Sequence, residues 1–375
     1  MPYRCVFTGG GTGGHIFPAL AVLEEFRRRF ADSEVLYVGT MGIESRIVPK
    51  RGIPFAEIGS VPHDRKKLLS IFPEISSMAG SIRKAGRLIR DFRPDFILGT
   101  GGYVSAPSMF AGWLNKIPLF LHEQNAVPGL ANRMLNLLAR KTFVTYEESV
   151  RHLFRQGRVI VTGNPVRREI VTVDRAEAYR FFDFSPEKTT ILAFGGSIGA
   201  ASINKAFASA LPSLLNKYKG IQVVFITGER EFAHYSDVLK DEIAKNKCLK
   251  LFSFLDKMYY ALSIADVTVC RAGATTLAEV TAAGKCTVLV PYPHATDNHQ
   301  FKNAVALSAR RAAFLITDSD LSATGALTEN LERLIENGQE VAEVAGNAKK
   351  FGILNAAERI VDEITGSLLE GRNKR

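Results

Sequence analysis

Anion chemistry and proton chemistry meet at one point early in the chain, where His15 follows the run Gly9-Gly10-Gly11-Thr12-Gly13-Gly14. Five glycines in six residues let another molecule approach the backbone closely, and N–H groups beside a helix N-terminus form an anion site. An imidazole titrates near neutrality, so His15 can exchange a proton with whatever the turn holds. Two further glycine turns follow apolar runs, Gly99-Thr100-Gly101-Gly102-Tyr103 and Gly195-Gly196-Ser197. Polar clusters follow others: His122-Glu123-Gln124-Asn125, the stretch from Arg271 to Glu279, and Asp297-Asn298-His299-Gln300 with Asn303.

The elements that must position these residues are legible. Cys5-Val6-Phe7 is a short buried strand, and Ile16 to Leu23 is an amphipathic helix with Pro18 in its first turn. The spacing Gly9-x-Gly11-x-x-Gly14 fits a dinucleotide fingerprint. A nicotinamide site would add an acid at the end of the second strand to hold the ribose. That strand, Val35-Leu36-Tyr37-Val38, runs into Gly39-Thr40-Met41-Gly42 without one, and Glu44 belongs to the next helix. An NAD(P)-dependent oxidoreductase is thereby disfavoured.

Short β-branched runs alternate with helical patterns along the chain. They are expected at 4–8, 35–38, 96–98, 118–121, 142–145 and 159–161, and again at 190–194, 222–226, 249–252, 267–270, 287–290 and 313–316. Such runs predict an α/β protein with parallel sheets covered on both faces. Two series predict two Rossmann-like, doubly wound domains facing across a deep cleft. The expected boundaries are 1–163, 164–350 and a C-terminal helical stretch, 351–375, packing back on the first domain.

At 375 residues the chain is too long for one ordinary core. Its 46% hydrophobic and 23% charged content exclude a disordered chain. Cys5, Cys248, Cys270 and Cys286 lack CxxC spacing and read as buried hydrophobes in a reducing cytosol. The start of the sequence shows no secretory signal pattern, and no run approaches the roughly 20 apolar residues of a membrane span. Net charge is +10, and residues 65–93 hold eight basic side chains against Glu74 and Asp91. A patch of that kind implies a polyanionic partner.

Taken in order, the glycine turns and polar clusters, with Gly163-Asn164-Pro165-Val166-Arg167 at the domain step, resemble the MurG family. These are bacterial N-acetylglucosaminyltransferases of glycosyltransferase family 28. The resemblance spans nearly the whole chain and implies the GT-B fold, with UDP-N-acetylglucosamine as donor. It implies undecaprenyl-pyrophosphoryl-N-acetylmuramyl-pentapeptide (lipid I) as acceptor and lipid II as product, for peptidoglycan synthesis. The expected reaction is inverting and metal-independent, with no cofactor. Asp318-Ser319-Asp320 is read as the capped entry to a helix rather than a metal motif.

By that resemblance the donor is bound by Thr12, Gly13, Gly14, Asn125, Arg167, Ser197, Leu255, Ala274, Thr275, Glu279, His299, Gln300 and Asn303. Glu279 takes the ribose, the backbone of Leu255 the uracil, and the helix opening at Gly273-Ala274-Thr275 the leaving diphosphate. Gly10, Gly11, Gly13, Gly14, Gly101, Gly102 and Tyr103 would cradle the acceptor. His15 is the candidate general base, with Glu123 its rival or its orienting partner. A histidine here could instead cap the helix or hold a phosphate.

For the basic window the fitting partner is anionic lipid rather than nucleic acid. Lys66, Lys67, Leu68, Leu69, Ile71 and Phe72 mix charge with apolar side chains, and Trp113 joins them. Peripheral binding at the cytoplasmic face of the bacterial inner membrane is expected, with other cell-wall synthesis proteins as further partners. Another GT-B lipid glycosyltransferase, such as a glycolipid synthase, is the nearest alternative.

Overall fold

The computed structural model describes residues 2–59, 71–196, 199–295, 298–323 and 325–373; for 71–76, 322, 323, 372 and 373 it describes the backbone alone. Lys66, Lys67, Leu68, Leu69 and Ser197 therefore lie outside the described residues, as do the side chains of Ile71 and Phe72. The chain divides into two compact units, Met1–Arg167 with Ile353–Arg375, and Arg168–Gly352.

In the first unit the strands are β1 (Arg4–Thr8), β2 (Glu34–Gly39), β3 (Phe55–Glu57), β4 (Phe96–Gly99), β5 (Leu119–Glu123), β6 (Lys141–Val144) and β7 (Val159–Val161). They pair in parallel in the order β3-β2-β1-β4-β5-β6-β7. Chain direction reverses across the sheet between β1 and β4, and at such a switch point the crevice outside the strand ends receives ligands. Val6, Phe7, Phe96, Ile97, Phe120 and Leu121 are fully buried, as both-face coverage requires. Phe7, Phe26, Phe96 and Phe120 meet edge to face at centroid separations of 5.3–6.5 Å, which fixes the helix Gly13–Arg29 on the sheet.

That helix starts earlier than its apolar periodicity suggests. The Thr12 carbonyl accepts the N–H groups of His15 (3.1 Å) and Ile16 (3.3 Å), so His15 lies in the first turn and Pro18 in the second. The last helix, Ala356–Asn373, packs on this same helix and buries Ile360, Val361 and Ile364. Arg29 pairs with Asp362, and Lys141 with Glu363 at 2.6 Å.

The second unit repeats the plan with β8 (Thr189–Phe194), β9 (Ile221–Ile226), β10 (Leu249–Phe252), β11 (Val267–Cys270), β12 (Cys286–Leu289) and β13 (Phe314–Leu315). The order is β10-β9-β8-β11-β12-β13, again all parallel, with its switch point between β8 and β11. No helix among the described residues is long and apolar enough to cross a membrane.

Candidate active site

The first-unit site forms where the turns after β1 and β4 touch. Gly102 adopts φ +76°, and a Cβ there would stand 2.7 Å from the Gly10 carbonyl oxygen. Gly10 is itself confined, since its Cβ would meet Glu44 Oε1 at 2.5 Å. Glu44 opens the helix Glu44–Lys50 yet is fully buried, with its carboxylate turned back into the site. Its Oε2 accepts the Gly11 N–H (3.1 Å), and Oε1 accepts the Thr40 N–H (3.1 Å) and hydroxyl (2.6 Å). The turn is therefore not a row of open donors, because Gly11 gives its N–H to a carboxylate. Glu44 does lie on the helix after β2, as its place in the sequence suggests, but its carboxylate reaches back to the turn after β1.

His15 is half-buried between the two turns. Its Nδ1 lies 3.0 Å from the Thr100 carbonyl oxygen and 3.0 Å from Gln124 Oε1. Gln124 also donates through Nε2 to the Thr100 carbonyl (2.7 Å) and lies 3.1 Å from His122 Nδ1. His122 is fully buried, and its Nε2 reaches the Gly163 carbonyl at 3.1 Å. Burial, with the nearby charge of His15 adding to it, pushes the His122 pKa down to about 4 against the opposing hydrogen bond to Gly163.

Glu123 turns away from His15. Its Oε1 accepts from the Asn125 backbone (2.8 Å) and side chain (3.0 Å), and Oε2 from the Gly129 N–H (3.2 Å) and Asn132 Nδ2 (2.8 Å). Four donors on one buried carboxylate make it the organiser of the 125–129 turn, which leaves Gln124 as the side chain that meets the imidazole. Tyr103 is 39% exposed ahead of the helix Ser105–Leu114. Arg167 belongs to this unit, where it is buried with its guanidinium 4.5 Å over the Phe17 ring.

In the second unit the turn after β11 leads into the helix Ala274–Ala282, capped by Gly273. Ala274, Thr275 and Glu279 are all buried along it, and Leu255 is buried beyond β10. Asn303 is buried too and donates through Nδ2 to the Ala272 carbonyl (3.3 Å), pinning the turn that precedes the helix. Gln300 Oε1 accepts the Tyr292 N–H (3.0 Å), and His299 opens the helix His299–Ser308. Arg271, to which sequence reasoning gave no role, ties the strand ends together. It donates to the Val290 and Pro291 carbonyls (both 3.2 Å), to Asp318 (2.6 Å) and to Ser202 (2.8 Å). Asp318 thus serves Arg271, and Thr317 caps its helix by accepting the Asp320 N–H (3.2 Å).

The glycosyltransferase family 28 N-terminal domain matches residues 5–144 and the family's C-terminal domain residues 190–360. The chain is 40% identical over 358 residues to a UDP-N-acetylglucosamine–N-acetylmuramyl-(pentapeptide) pyrophosphoryl-undecaprenol N-acetylglucosamine transferase of Halothermothrix orenii, covering 93% of this chain and 95% of that protein. It is 40% identical over 366 residues to the protein of the same name from Geobacter sulfurreducens, covering 97% and 98%. The crystal structure of Acinetobacter baumannii MurG superposes with a TM-score of 0.69 at 29% identity, over 97% of this chain and 100% of that one. Two Rossmann-like units and this likeness give the chain the GT-B fold, and the chain belongs to glycosyltransferase family 28.

Proposed function

We propose that this chain transfers N-acetylglucosamine from UDP-GlcNAc to the 4-hydroxyl of undecaprenyl-pyrophosphoryl-N-acetylmuramyl-pentapeptide, giving lipid II for the cell wall. The observation that carries this reading is 40% identity, over nearly the full length, with transferases named for that reaction.

The acceptor oxygen attacks the anomeric carbon as the bond from that carbon to the UDP oxygen breaks. The hydroxyl proton passes to His15, and UDP leaves with the electron pair. Direct displacement turns the α-linked donor into a β product. A half-buried imidazole between two glycine turns suits the base role, because it is both held and reachable. The helix N-terminus at Ala274 offers the leaving diphosphate a positive dipole end, so charge stabilisation there calls for no metal. Glu279, buried one and a half turns along that helix, is assigned to the ribose, and Gly101, Gly102 and Tyr103 to the acceptor.

Peripheral binding at the cytoplasmic membrane face belongs to the same reading. Phe110, Trp113 and Leu114 are exposed on the helix Ser105–Leu114. That helix packs beside Ile71–Phe92, whose Arg83, Lys84 and Arg87 are exposed. Apolar side chains within a basic field suit an anionic lipid surface.

Transfer of radiolabelled N-acetylglucosamine to a synthetic lipid-linked acceptor is the test. Labelled product should form, and unlabelled UDP-GlcNAc should dilute it while UDP-glucose and UDP-galactose do not. Absence of transfer sinks the reading. His15→Ala should lower kcat by about 10²–10⁴ with UDP binding retained, the range for loss of a general base. Near-normal turnover would remove His15 from that role.

A further inference from the structure

The hydrogen bonds around His15 fix which of its ring nitrogens is protonated as well as where the ring sits. Both groups at Nδ1, the Thr100 carbonyl and Gln124 Oε1, are oxygens, each 3.0 Å away. The Gln124 amide has no choice of orientation. Its nitrogen faces the Thr100 carbonyl at 2.7 Å, and a carbonyl only accepts, so the amide oxygen must be the atom that faces His15. Two acceptors at one ring nitrogen require a proton there. Neutral His15 then carries its hydrogen on Nδ1 and leaves Nε2 with a bare lone pair.

The next link holds the amide. His122 Nε2 meets the Gly163 carbonyl at 3.1 Å, again an acceptor, so its proton sits on Nε2. His122 Nδ1 is left to accept from Gln124 Nε2 at 3.1 Å. His122 is 0% exposed and Gln124 2%, so no solvent competes for these bonds. Each donor in the series Gly163–His122–Gln124–His15 finds an acceptor, and turning any one group over would set two donors or two acceptors against each other.

We propose that Gln124 and His122 are positioning residues that lock His15 in the Nδ1–H tautomer, so that Nε2 is the atom that takes the acceptor's proton. The proposal rests on the reading of His15 as base. It assigns the orienting role to a neutral amide and a second imidazole, where a carboxylate would also have changed the charge on the base. Neither residue touches substrate; both act through the ring of His15.

The tautomer can be read without turnover. In protein labelled with ¹⁵N-histidine, long-range ¹H–¹⁵N correlations distinguish a protonated Nδ1 from a protonated Nε2, and His15→Gln identifies the signal by its loss. Wild type should show Nδ1–H. Gln124→Met keeps volume but removes all three bonds of the amide and leaves the Thr100 carbonyl as the remaining acceptor at Nδ1. The Nε2–H fraction should rise above that of wild type, and kcat should fall roughly ten-fold, the effect of about one hydrogen bond. KM for donor and acceptor should move less than two-fold. His122→Phe, which preserves ring volume and carries the test if Gln124→Met does not fold, should shift both readouts in the same direction by less. An Nε2–H tautomer in wild type, or one unchanged in the variants, overturns the lock whatever the base is. Full turnover by His15→Gln overturns the base reading, and the proposal falls with it.

Discussion

The Glu44 carboxylate lies directly behind the glycine-rich turn and accepts the Gly11 N–H at 3.1 Å. All three described donors to it come from Gly11 and Thr40, so the turn after β1 and the turn after β2 are held by one buried side chain. Glu44→Gln keeps the shape but sets an amide NH₂ against one of those donors. An unpaired buried donor costs about 1–3 kcal/mol, and urea unfolding should report a loss of that size. The kcat/KM for the lipid acceptor should fall with it, because Gly10 and Gly11 lose their fixed place. Unchanged stability would show that the carboxylate is not needed there.

Two glycines with opposite surroundings test whether close backbone approach shapes the site. Gly102→Ala meets both a positive φ of +76° and the Gly10 carbonyl at 2.7 Å. Left-handed backbone alone costs a non-glycine residue about 1–2 kcal/mol, so stability should drop by at least that. Gly80, within the helix Ile71–Phe92, has nothing within 4 Å of an added Cβ. Gly80→Ala should therefore stabilise by up to about 1 kcal/mol through helix propensity. Thermal midpoints moving the same way in both variants would contradict this.

His122 predicts a pH signature. Its pKa falls from 6.5 to about 4 on folding, chiefly through burial. Below pH 6.5 the unfolded chain binds the proton that the folded chain refuses. Stability from this group is complete above pH 6.5 and is lost as pH falls toward 4, by about 3 kcal/mol in total. Denaturant titrations of wild type and His122→Phe should converge over that window, since the phenylalanine carries no such linkage. Parallel curves would mean that His122 takes its proton as readily in the fold as outside it.

The strands were legible because short β-branched runs between helical stretches have few other uses in a chain of this size. Phe55–Glu57 escaped notice; three half-buried residues give no periodicity, and the strand is defined by its pairing with Tyr37–Gly39. The site was legible as a set of segments but not as a set of bonds. His122 and Glu123 stand inside β5 rather than after it, and alternation along extended backbone sends 122 and 124 to one side and 123 to the other. That is why Gln124 meets His15 while Glu123 holds the neighbouring turn. Glu44 was legible as a helix residue but not as a partner of Gly11, since that contact depends on the 40–43 turn folding back, which no spacing rule reports.

The exposed aromatic pair on the helix Ser105–Leu114 gives the membrane reading its sharpest test. Phe110 and Trp113 have ring centroids 5.5 Å apart and are 38% and 47% exposed, so part of each ring faces outward among the described residues. Insertion at a lipid interface would bury it, and the basic side chains of the neighbouring helix would sit among anionic headgroups. The two contributions separate by experiment. Trp113→Ser should weaken sedimentation with vesicles at every salt concentration, because buried apolar area does not screen. Arg83→Gln with Arg87→Gln should weaken it at low salt, by about 1 kcal/mol per charge on anionic vesicles, with the difference fading as salt rises. Both variants should keep wild-type turnover on a detergent-solubilised, short-chain acceptor, since none of these side chains belongs to the His15 cluster. Binding to neutral and anionic vesicles alike, unaltered by either change, would remove this face from membrane recognition.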